Sequence, residues 1–208
     1  TWRDNTYPGC GCDVESQLYS FSFEPNPNWT RTFARAAEIQ RYVEHCTDKY
    51  KLRQLITFGC EIIEARFIDD KGYWQLTTNQ GGVTLARHMI MAIGPFKGAS
   101  VPSIPGMDRF RGKIQHTANW DHSADYRNQR IGLIGTGASA IQVGPALAAE
   151  AAQLSVFQRT PAWILPKNDV AISASRMRLN RRFPVLMKAD RLRSYWYHEL
   201  SAPFLILE

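Results

Sequence analysis

A short apolar run that leads directly into a glycine-rich turn constrains the fold of this chain more than any other feature. Residues 131–134 read Ile-Gly-Leu-Ile, and residues 135–140 read Gly-Thr-Gly-Ala-Ser-Ala. A helix-forming run follows to about Ala152, and a second apolar run covers residues 154–158. A strand, a glycine turn, a helix and a second strand form a βαβ unit, whose strands lie parallel with a right-handed crossover. The sequence therefore predicts an α/β fold with a Rossmann-like dinucleotide site.

The residues of this turn suit a pyrophosphate group. Gly135 permits a tight turn, Gly137 lets the backbone approach the phosphates, and Ala140 keeps the helix close to the strand. The helix N-terminus adds free N–H groups and the positive end of the helix dipole. The alternative is a glycine-containing turn that holds no ligand.

The end of the second predicted strand indicates which nucleotide is bound. NAD sites place an Asp or Glu about 20 residues past the glycines, where it accepts from the ribose hydroxyls. This chain has Gln158, Arg159 and Thr160 there and no carboxylate. Arg159 offers charge-assisted donors to a 2′-phosphate and Thr160 offers a hydroxyl, so the sequence favours NADPH. In the alternative reading, Arg159 only caps the edge of the sheet.

The rest of the chain also shows patterns that predict local structure. Residues 1–32 are predicted to form a packed loop rich in aromatics, and a helix is predicted from about Ala34 to His45. Short apolar runs separated by turn residues predict an antiparallel meander, and one more strand before residues 94–95. These strands are Leu55–Phe58, Ile62–Phe67, Tyr73–Thr78, Val83–Arg87 and His88–Ile93. After Pro166 the pattern becomes helical and basic and is broken by Pro184.

Composition excludes some classes of protein. The 208 residues contain no apolar run of 18 and no secretory signal, so we expect no stable membrane insertion and a cytoplasmic protein with free thiols. Cys10 and Cys12 are too close together for ordinary zinc pairing, so we expect no metal. The net charge is +6, and much of the excess follows Ser175. A solvated helix face explains that charge, with binding to nucleic acid or an anionic membrane as the alternative.

Three patterns of residues follow one another along this chain. The first pattern is an N-terminal fingerprint of Trp2, Tyr7-Pro8-Gly9 and Asp13. The second comprises Phe110, Gly112, His116-Thr117 and Trp120-Asp121. The third is the glycine turn with Gln142, followed by Phe157-Gln158-Arg159-Thr160-Pro161. Together they resemble one family, the type I Baeyer–Villiger monooxygenases of the flavin-containing monooxygenase superfamily. Related enzymes that oxidise nitrogen and sulfur atoms usually end the second fingerprint in Tyr-Lys, which is absent here.

The resemblance implies a flavoprotein with two dinucleotide-binding domains, in which NADPH supplies electrons to FAD and O₂ supplies an oxygen atom to a ketone. Trp2, Asp13 and Tyr19 are then expected to contact the flavin, and Ile62 the adenine region of FAD. Asp13 is expected to orient the nicotinamide amide, and His116 to couple domain movement to the reaction. The remaining expected contacts to NADPH are Gly11 and Cys12 near the nicotinamide, Gly135, Thr136, Gly137, Ala138, Ser139, Ala140, Ile141 and Gln142 at the pyrophosphate, and Arg159 and Thr160 at the 2′-phosphate. Taken singly, the aromatics also suit a core, Asp13 a turn cap and His116 a structural role.

Two parts of the family pattern are missing from the chain. They are the first glycine turn, which holds FAD, and a catalytic arginine that follows the NADPH site. We therefore expect an internal part of a longer enzyme that is inactive alone, with an unpaired sheet surface that favours self-association. We expect a partial FAD domain at 1–95, a connection at 96–130 and a partial NADPH domain at 131–208. The alternatives to a ketone monooxygenase are an NADPH-binding module and a nitrogen- or sulfur-oxygenating flavoenzyme.

Overall fold

The computed structural model describes residues 1–94 and 98–206, with side chains up to Ser201. The chain divides into two compact units, which are Thr1–Glu44 together with Gly98–Glu208, and His45–Lys97. The domain boundary predicted between residues 95 and 96 lies outside the described residues. The further boundary predicted between residues 130 and 131 stays a prediction.

The unit His45–Lys97 contains a three-stranded antiparallel sheet. Its strands are β1 (Ile62–Ile68), β2 (Tyr73–Thr78) and β3 (Val83–Ala86), in the order β1-β2-β3. The turns between them use glycines with positive φ, at +65° for Gly72 and +80° for Gly81. The meander predicted from the sequence is confirmed for these three strands, because turn-forming residues separate short runs that each pair with the next.

Two predicted strands are wrong. Residues 52–55 form a 3₁₀ helix (Leu52–Leu55) where a strand was expected to begin, and no strand covers residues 56–58. Residues 88–94 have no regular structure either. Both runs are apolar but exposed: Leu55 is 76% exposed and Ile90 is 91% exposed. Short apolar runs carry no pairing information of their own, and among the described residues no neighbouring strand pairs with these two.

The other compact unit contains the strand–helix–strand (βαβ) motif that the sequence predicts. β4 (Arg130–Ile134) and β5 (Gln153–Phe157) pair in parallel, and α2 (Ala138–Ala148) connects them. The helix ends four residues before the predicted Ala152. It packs closely on β4 at Gly144, where an added Cβ would lie 3.4 Å from Leu133 Cδ2. The parallel strands and their helix confirm the Rossmann-like element.

The described residues form three further α-helices, namely α1 (Ala36–Lys49), α3 (Ala174–Arg182) and α4 (Val185–Ile206), and a 3₁₀ helix at Met107–Arg109. Ser173 caps α3 by accepting the Arg176 N–H, and Pro184 separates α3 from α4. Arg191 of α4 donates from Nη1 to the carbonyls of residues 17, 18 and 20. Among the helices that the structure describes, none has both the length and the apolar character needed to cross a membrane.

Residues 1–35, which we call the N-terminal loop, are mostly irregular but well packed. Tyr7 and Cys10 of this loop join Ala36, Val143 and Leu147 in a buried cluster. A second buried centre contains Trp29, which is 1% exposed. The packed loop predicted from the sequence nevertheless leaves three of its aromatic side chains exposed, those of Tyr19, Phe21 and Phe23. Phe21 and Phe23 instead stack on each other, with ring centroids 5.2 Å apart.

Candidate nucleotide-binding site

The glycine turn between β4 and α2 leaves open space in front of a helix N-terminus. Gly135 has a φ of +103°, which favours glycine, and its N–H donates to the Phe157 carbonyl at 2.8 Å. Gly137 precedes the helix in an extended conformation and is exposed, and an added Cβ there would meet nothing within 4 Å. The first amides of an α-helix have no partner within the helix. The turn therefore presents donors to an open position, which fits a phosphate group.

The remaining predicted phosphate contacts lie on this turn and the first residues of α2. Ala138 and Ile141 are exposed, and Thr136, Ser139 and Ala140 are half-buried. The helix begins at Ala138, and the N–H groups of Ala140 and Ile141 donate to the Gly137 carbonyl, so the N–H groups of Ala138 and Ser139 are the ones that a phosphate could accept from. The predicted contacts of these residues to a pyrophosphate fit this geometry and stay a prediction.

Gln142, on the second turn of α2, joins the helix to the N-terminal loop. Its Oε1 accepts from the Tyr7 hydroxyl at 2.9 Å and from the Gly11 N–H at 3.3 Å. Its Nε2 donates to the Gly11 carbonyl at 3.0 Å and to Asp13 Oδ2 at 2.8 Å. An amide has two donor hydrogens and two acceptor lone pairs, so these four bonds use its whole capacity. The loop is therefore held to the helix that follows the glycine turn.

Asp13 receives a second donor from a distant part of the sequence. Lys167 Nζ lies 2.7 Å from Asp13 Oδ1 and donates to the Cys12 carbonyl at 2.8 Å. The Asp13 side chain is nevertheless 46% exposed, so part of its carboxylate faces solvent. Gly11 and Cys12 lie beside it, and an added Cβ on Gly11 would lie 2.9 Å from the Ala34 carbonyl oxygen. The predicted nicotinamide contacts are thus brought together with Gln142.

Burial changes the proton affinity of three groups in this part of the loop. Burial raises the pKa of Tyr7 to about 12, and the tyrosine hydroxyl lies 3.3 Å from the Ser139 hydroxyl. Burial also raises the pKa of the Cys10 and Cys12 thiols. These groups stay neutral near pH 7, whereas Asp13 of the loop and Lys167 of the segment after β5 form an ion pair.

The raised pKa of Tyr7 predicts a loss of stability at alkaline pH. The unfolded chain releases this proton near pH 10 and the folded chain near 12, so the contribution of neutral Tyr7 is present below pH 10 and lost between about 10 and 12. Near pH 8, Tyr7→Phe is expected to lose about 1 kcal/mol through its hydrogen bonds. Chemical denaturation of both proteins at rising pH is expected to show this difference falling to zero and then reversing in sign, because only the wild type loses on the order of 2 kcal/mol between about pH 10 and 12. A constant difference across the range would contradict the assignment.

Trp2 and Tyr19, both expected to contact the flavin, are in contact with each other. The Trp2 indole Nε1 donates to the Tyr19 hydroxyl at 3.1 Å, and the rings meet edge to face with centroids 5.7 Å apart. Both residues line a cavity of about 320 Å³ with Phe21, Ile39 and other side chains. Ile62 begins β1 in the other unit and is exposed. The predicted contacts of all three to a flavin cofactor stay predictions.

His116 lies in a turn of the second fingerprint and contacts its own segment. Its Nδ1 accepts the Ala118 N–H at 3.1 Å, and its carbonyl accepts the Asn119 N–H at 2.9 Å. Trp120 packs against the buried cluster, and His122 Nε2 lies 2.9 Å from Thr6 Oγ1. This fingerprint is therefore docked on the N-terminal loop. The predicted coupling role of His116 stays a prediction.

Arg159 and Thr160 follow the last residue of β5 and are exposed. In the part of the chain that the structure describes, no carboxylate forms an ion pair with Arg159. Its guanidinium is thus available to a phosphate in solvent. The described residues also contain no group of three or more His, Cys, Asp or Glu side chains that could hold a metal ion.

The sequence did not predict two residues of the site, Lys167 and Asp169. Asp169 Oδ2 accepts from Arg31 Nε at 2.8 Å, and Asp169 Oδ1 accepts the Phe33 N–H at 3.3 Å. The Thr32 N–H donates to the Val170 carbonyl at 2.9 Å. These contacts span more than 130 positions of sequence, and no local pattern marks them. In the sequence, a single lysine after Pro166 cannot be distinguished from an ordinary surface lysine.

Comparison with known proteins agrees with the geometry. A family model described as flavin-binding monooxygenase-like matches residues 7–199. A Baeyer–Villiger monooxygenase of Streptomyces coelicolor is 46% identical over 191 residues, which cover 92% of this chain and 37% of that protein. The chain thus spans little more than a third of the length of this relative.

Two solved structures share the fold. Cyclohexanone monooxygenase from Rhodococcus sp. Phi1 bound to NADP⁺ is 34% identical, with a TM-score of 0.75, over 88% of this chain and 35% of that chain. OTEMO in complex with FAD and NADP is 33% identical, with a TM-score of 0.76, over 88% of this chain and 37% of that chain. The expected fold class and the resemblance seen in the sequence are confirmed. Because the family model matches nearly the whole chain, the chain belongs to the flavin-binding monooxygenase-like family.

Proposed function

We propose that the whole protein is an FAD- and NADPH-dependent monooxygenase of the Baeyer–Villiger type, which inserts one oxygen atom of O₂ into a ketone to give an ester or a lactone. The observation that best supports the proposal is the set of hydrogen bonds around Gln142. This residue joins Gly11 and Asp13 of the first fingerprint to the helix of the glycine turn. Residues matched independently in the sequence are thus hydrogen-bonded to one another, which supports the proposal.

The residues present fit the two cofactors. The open N-terminus of α2 and the exposed Gly137 suit the pyrophosphate of NADPH, and Arg159 with Thr160 suits its 2′-phosphate. Asp13 is held in place yet partly exposed, so it can accept a hydrogen bond from the nicotinamide amide. Trp2 and Tyr19 offer aromatic surface to FAD beside their shared cavity. The cofactors supply the redox chemistry when bound, and the chain orients them.

Product analysis with labelled oxygen tests this function. The whole protein with FAD, NADPH and ¹⁸O₂ is offered cyclic, aromatic and linear ketones, with amines and sulfides in parallel. We expect NADPH consumption that depends on ketone, and one ¹⁸O atom in an ester or lactone detected by mass spectrometry. Oxygen transfer only to nitrogen or sulfur would identify the other branch of the family. NADPH binding without any oxygenated product would instead favour a nucleotide-binding module.

The expected cytoplasmic location and self-association are also proposals. The buried free thiols Cys10 and Cys12 suit a reducing compartment. The exposed Ile134, Val156 and Phe157 on the two-stranded parallel sheet support association of copies of the 208-residue chain. Light scattering over a dilution series measures this association directly.

A further inference from the structure

Lys167 lies in the connection between β5 and α3, and its ammonium group contacts residues of the N-terminal loop. It donates to the Cys12 carbonyl at 2.8 Å and to Asp13 Oδ1 at 2.7 Å. It also lies over the Phe33 ring, 4.7 Å from the centroid. The side chain is 32% exposed, less than is usual for a surface lysine. Three different kinds of contact therefore fix one ammonium group.

The two oxygens of Asp13 are held by donors from two different elements. Gln142 of α2 binds Oδ2 at 2.8 Å, and Lys167 binds Oδ1 at 2.7 Å. A carboxylate has about four acceptor positions, so two of them stay available on the exposed side. The orientation of the carboxylate towards solvent is thus determined by this pair of donors.

The segment that carries Lys167 is itself anchored. Asp169 pairs with Arg31 at 2.8 Å and accepts the Phe33 N–H. The Ile172 N–H donates to the Thr30 carbonyl at 2.8 Å. The same connection begins with Arg159 and Thr160 at the end of β5. One stretch of chain therefore links the proposed 2′-phosphate residues to the carboxylate of Asp13.

We propose that Lys167 is a positioning residue, which orients the Asp13 carboxylate towards the nicotinamide end of bound NADPH. The proposal rests on the proposed function of the site. Lys167 does not touch the nucleotide in this role and acts through Asp13. Its loss leaves the pyrophosphate and 2′-phosphate contacts intact, so it affects the transfer of electrons more than the binding of the nucleotide.

The position of the carboxylate is tested first, without any need for activity. Nuclear magnetic resonance of the 208-residue chain reports the side-chain carboxyl signal of Asp13 and the side-chain amide signals of Gln142. We expect Lys167→Met to shift these signals and Lys167→Arg to shift them much less, because arginine can donate to the same carboxylate. The control is Lys188→Met, an exposed lysine of α4. Signals unchanged in Lys167→Met would overturn the proposal.

The kinetic effect is tested in the whole protein with FAD bound. Anaerobic stopped-flow measurement gives the rate of flavin reduction by NADPH, and calorimetry gives NADP⁺ affinity. We expect Lys167→Met to slow reduction about 10- to 100-fold, the scale of one charge-assisted hydrogen bond, with affinity changed less than about threefold. Lys167→Arg is expected to recover most of the rate. In the Asp13→Asn background, Lys167→Met is expected to add little, since both changes remove the same interaction.

These measurements distinguish a failure of the positioning role of Lys167 from a failure of the proposed function. Wild-type rates in Lys167→Met, or equal losses of rate and affinity, would overturn the positioning role. A whole protein whose flavin is not reduced by NADPH would overturn the proposed function, and the resonance signals of Asp13 would still decide whether Lys167 positions that carboxylate.

Discussion

Gly9→Ala is expected to detach the N-terminal loop from α2 and to cost about 3 kcal/mol or more of folding free energy. Gly9 has a φ of +81°, and an added Cβ would lie 2.3 Å from the Gln142 carbonyl oxygen. The left-handed conformation costs a side-chain-bearing residue about 1–2 kcal/mol, and overpacking against rigid backbone adds about 1–3 kcal/mol. Because the colliding atom belongs to helix backbone, no side-chain movement relieves the clash. Domains of this size have only about 5–15 kcal/mol of stability.

A second glycine separates the conformational cost of Gly9→Ala from the cost of its steric clash. Gly106, in the same unit, has a φ of +84°, and an added Cβ there would meet nothing within 4 Å. Gly106→Ala is therefore expected to cost only the conformational part, about 1–2 kcal/mol. Urea denaturation followed by tryptophan fluorescence measures both variants. Equal losses in the two variants would show that the loop does not pack against α2 at Gly9 as described.

Arg159→Ala is expected to abolish most of the preference for NADPH over NADH. Charge-assisted hydrogen bonds to a phosphate contribute about 1.5–3 kcal/mol, so the Kd for NADPH is expected to rise about 10- to 100-fold. NADH has no 2′-phosphate, so its Kd is expected to stay nearly constant. Calorimetric titration of the 208-residue chain with each nucleotide measures the ratio of the two affinities.

An exposed arginine elsewhere serves as the control. Arg178 of α3 carries the same charge and is also exposed, so Arg178→Ala removes the general attraction for anions without touching the proposed site. This control is expected to keep the NADPH preference at any fixed salt concentration. If Arg159→Ala weakened both nucleotides equally, the residue would act on the fold of the turn and not on the 2′-phosphate.

The βαβ unit was predictable because its signals are local. Gly135 must adopt a positive φ, and the apolar runs on either side have the lengths of buried strands. The meander was predictable for a similar reason, since Gly72 and Gly81 sit where its turns reverse. The two strands wrongly predicted at 55–58 and 88–93 show the limit of this reasoning. A strand needs a partner, and an apolar run alone does not specify one.

The contacts of the site were predictable only in part. The fingerprints identified Gly11, Asp13 and Gln142 separately, but the bonds that join them depend on the fold of the loop onto α2. Lys167 lies 154 positions from Asp13 in sequence, and nothing in its surroundings predicts that distance of 2.7 Å. Such long-range ion pairs are set by how whole segments pack, which periodicity and turn chemistry do not describe.

The pairing of Lys167 with Asp13 gives the site an electrical polarity. At that end one positive and one negative group lie 2.7 Å apart and cancel, and the adjoining Gln142 amide carries no charge. At the other end, the helix N-terminus and Arg159 are both positive and face solvent. In the proposed site, a dinucleotide whose negative charge is concentrated on its phosphates is therefore expected to have a lower energy in one direction than in the reverse. We expect this difference in charge to orient the nucleotide before any contact to the nicotinamide is made.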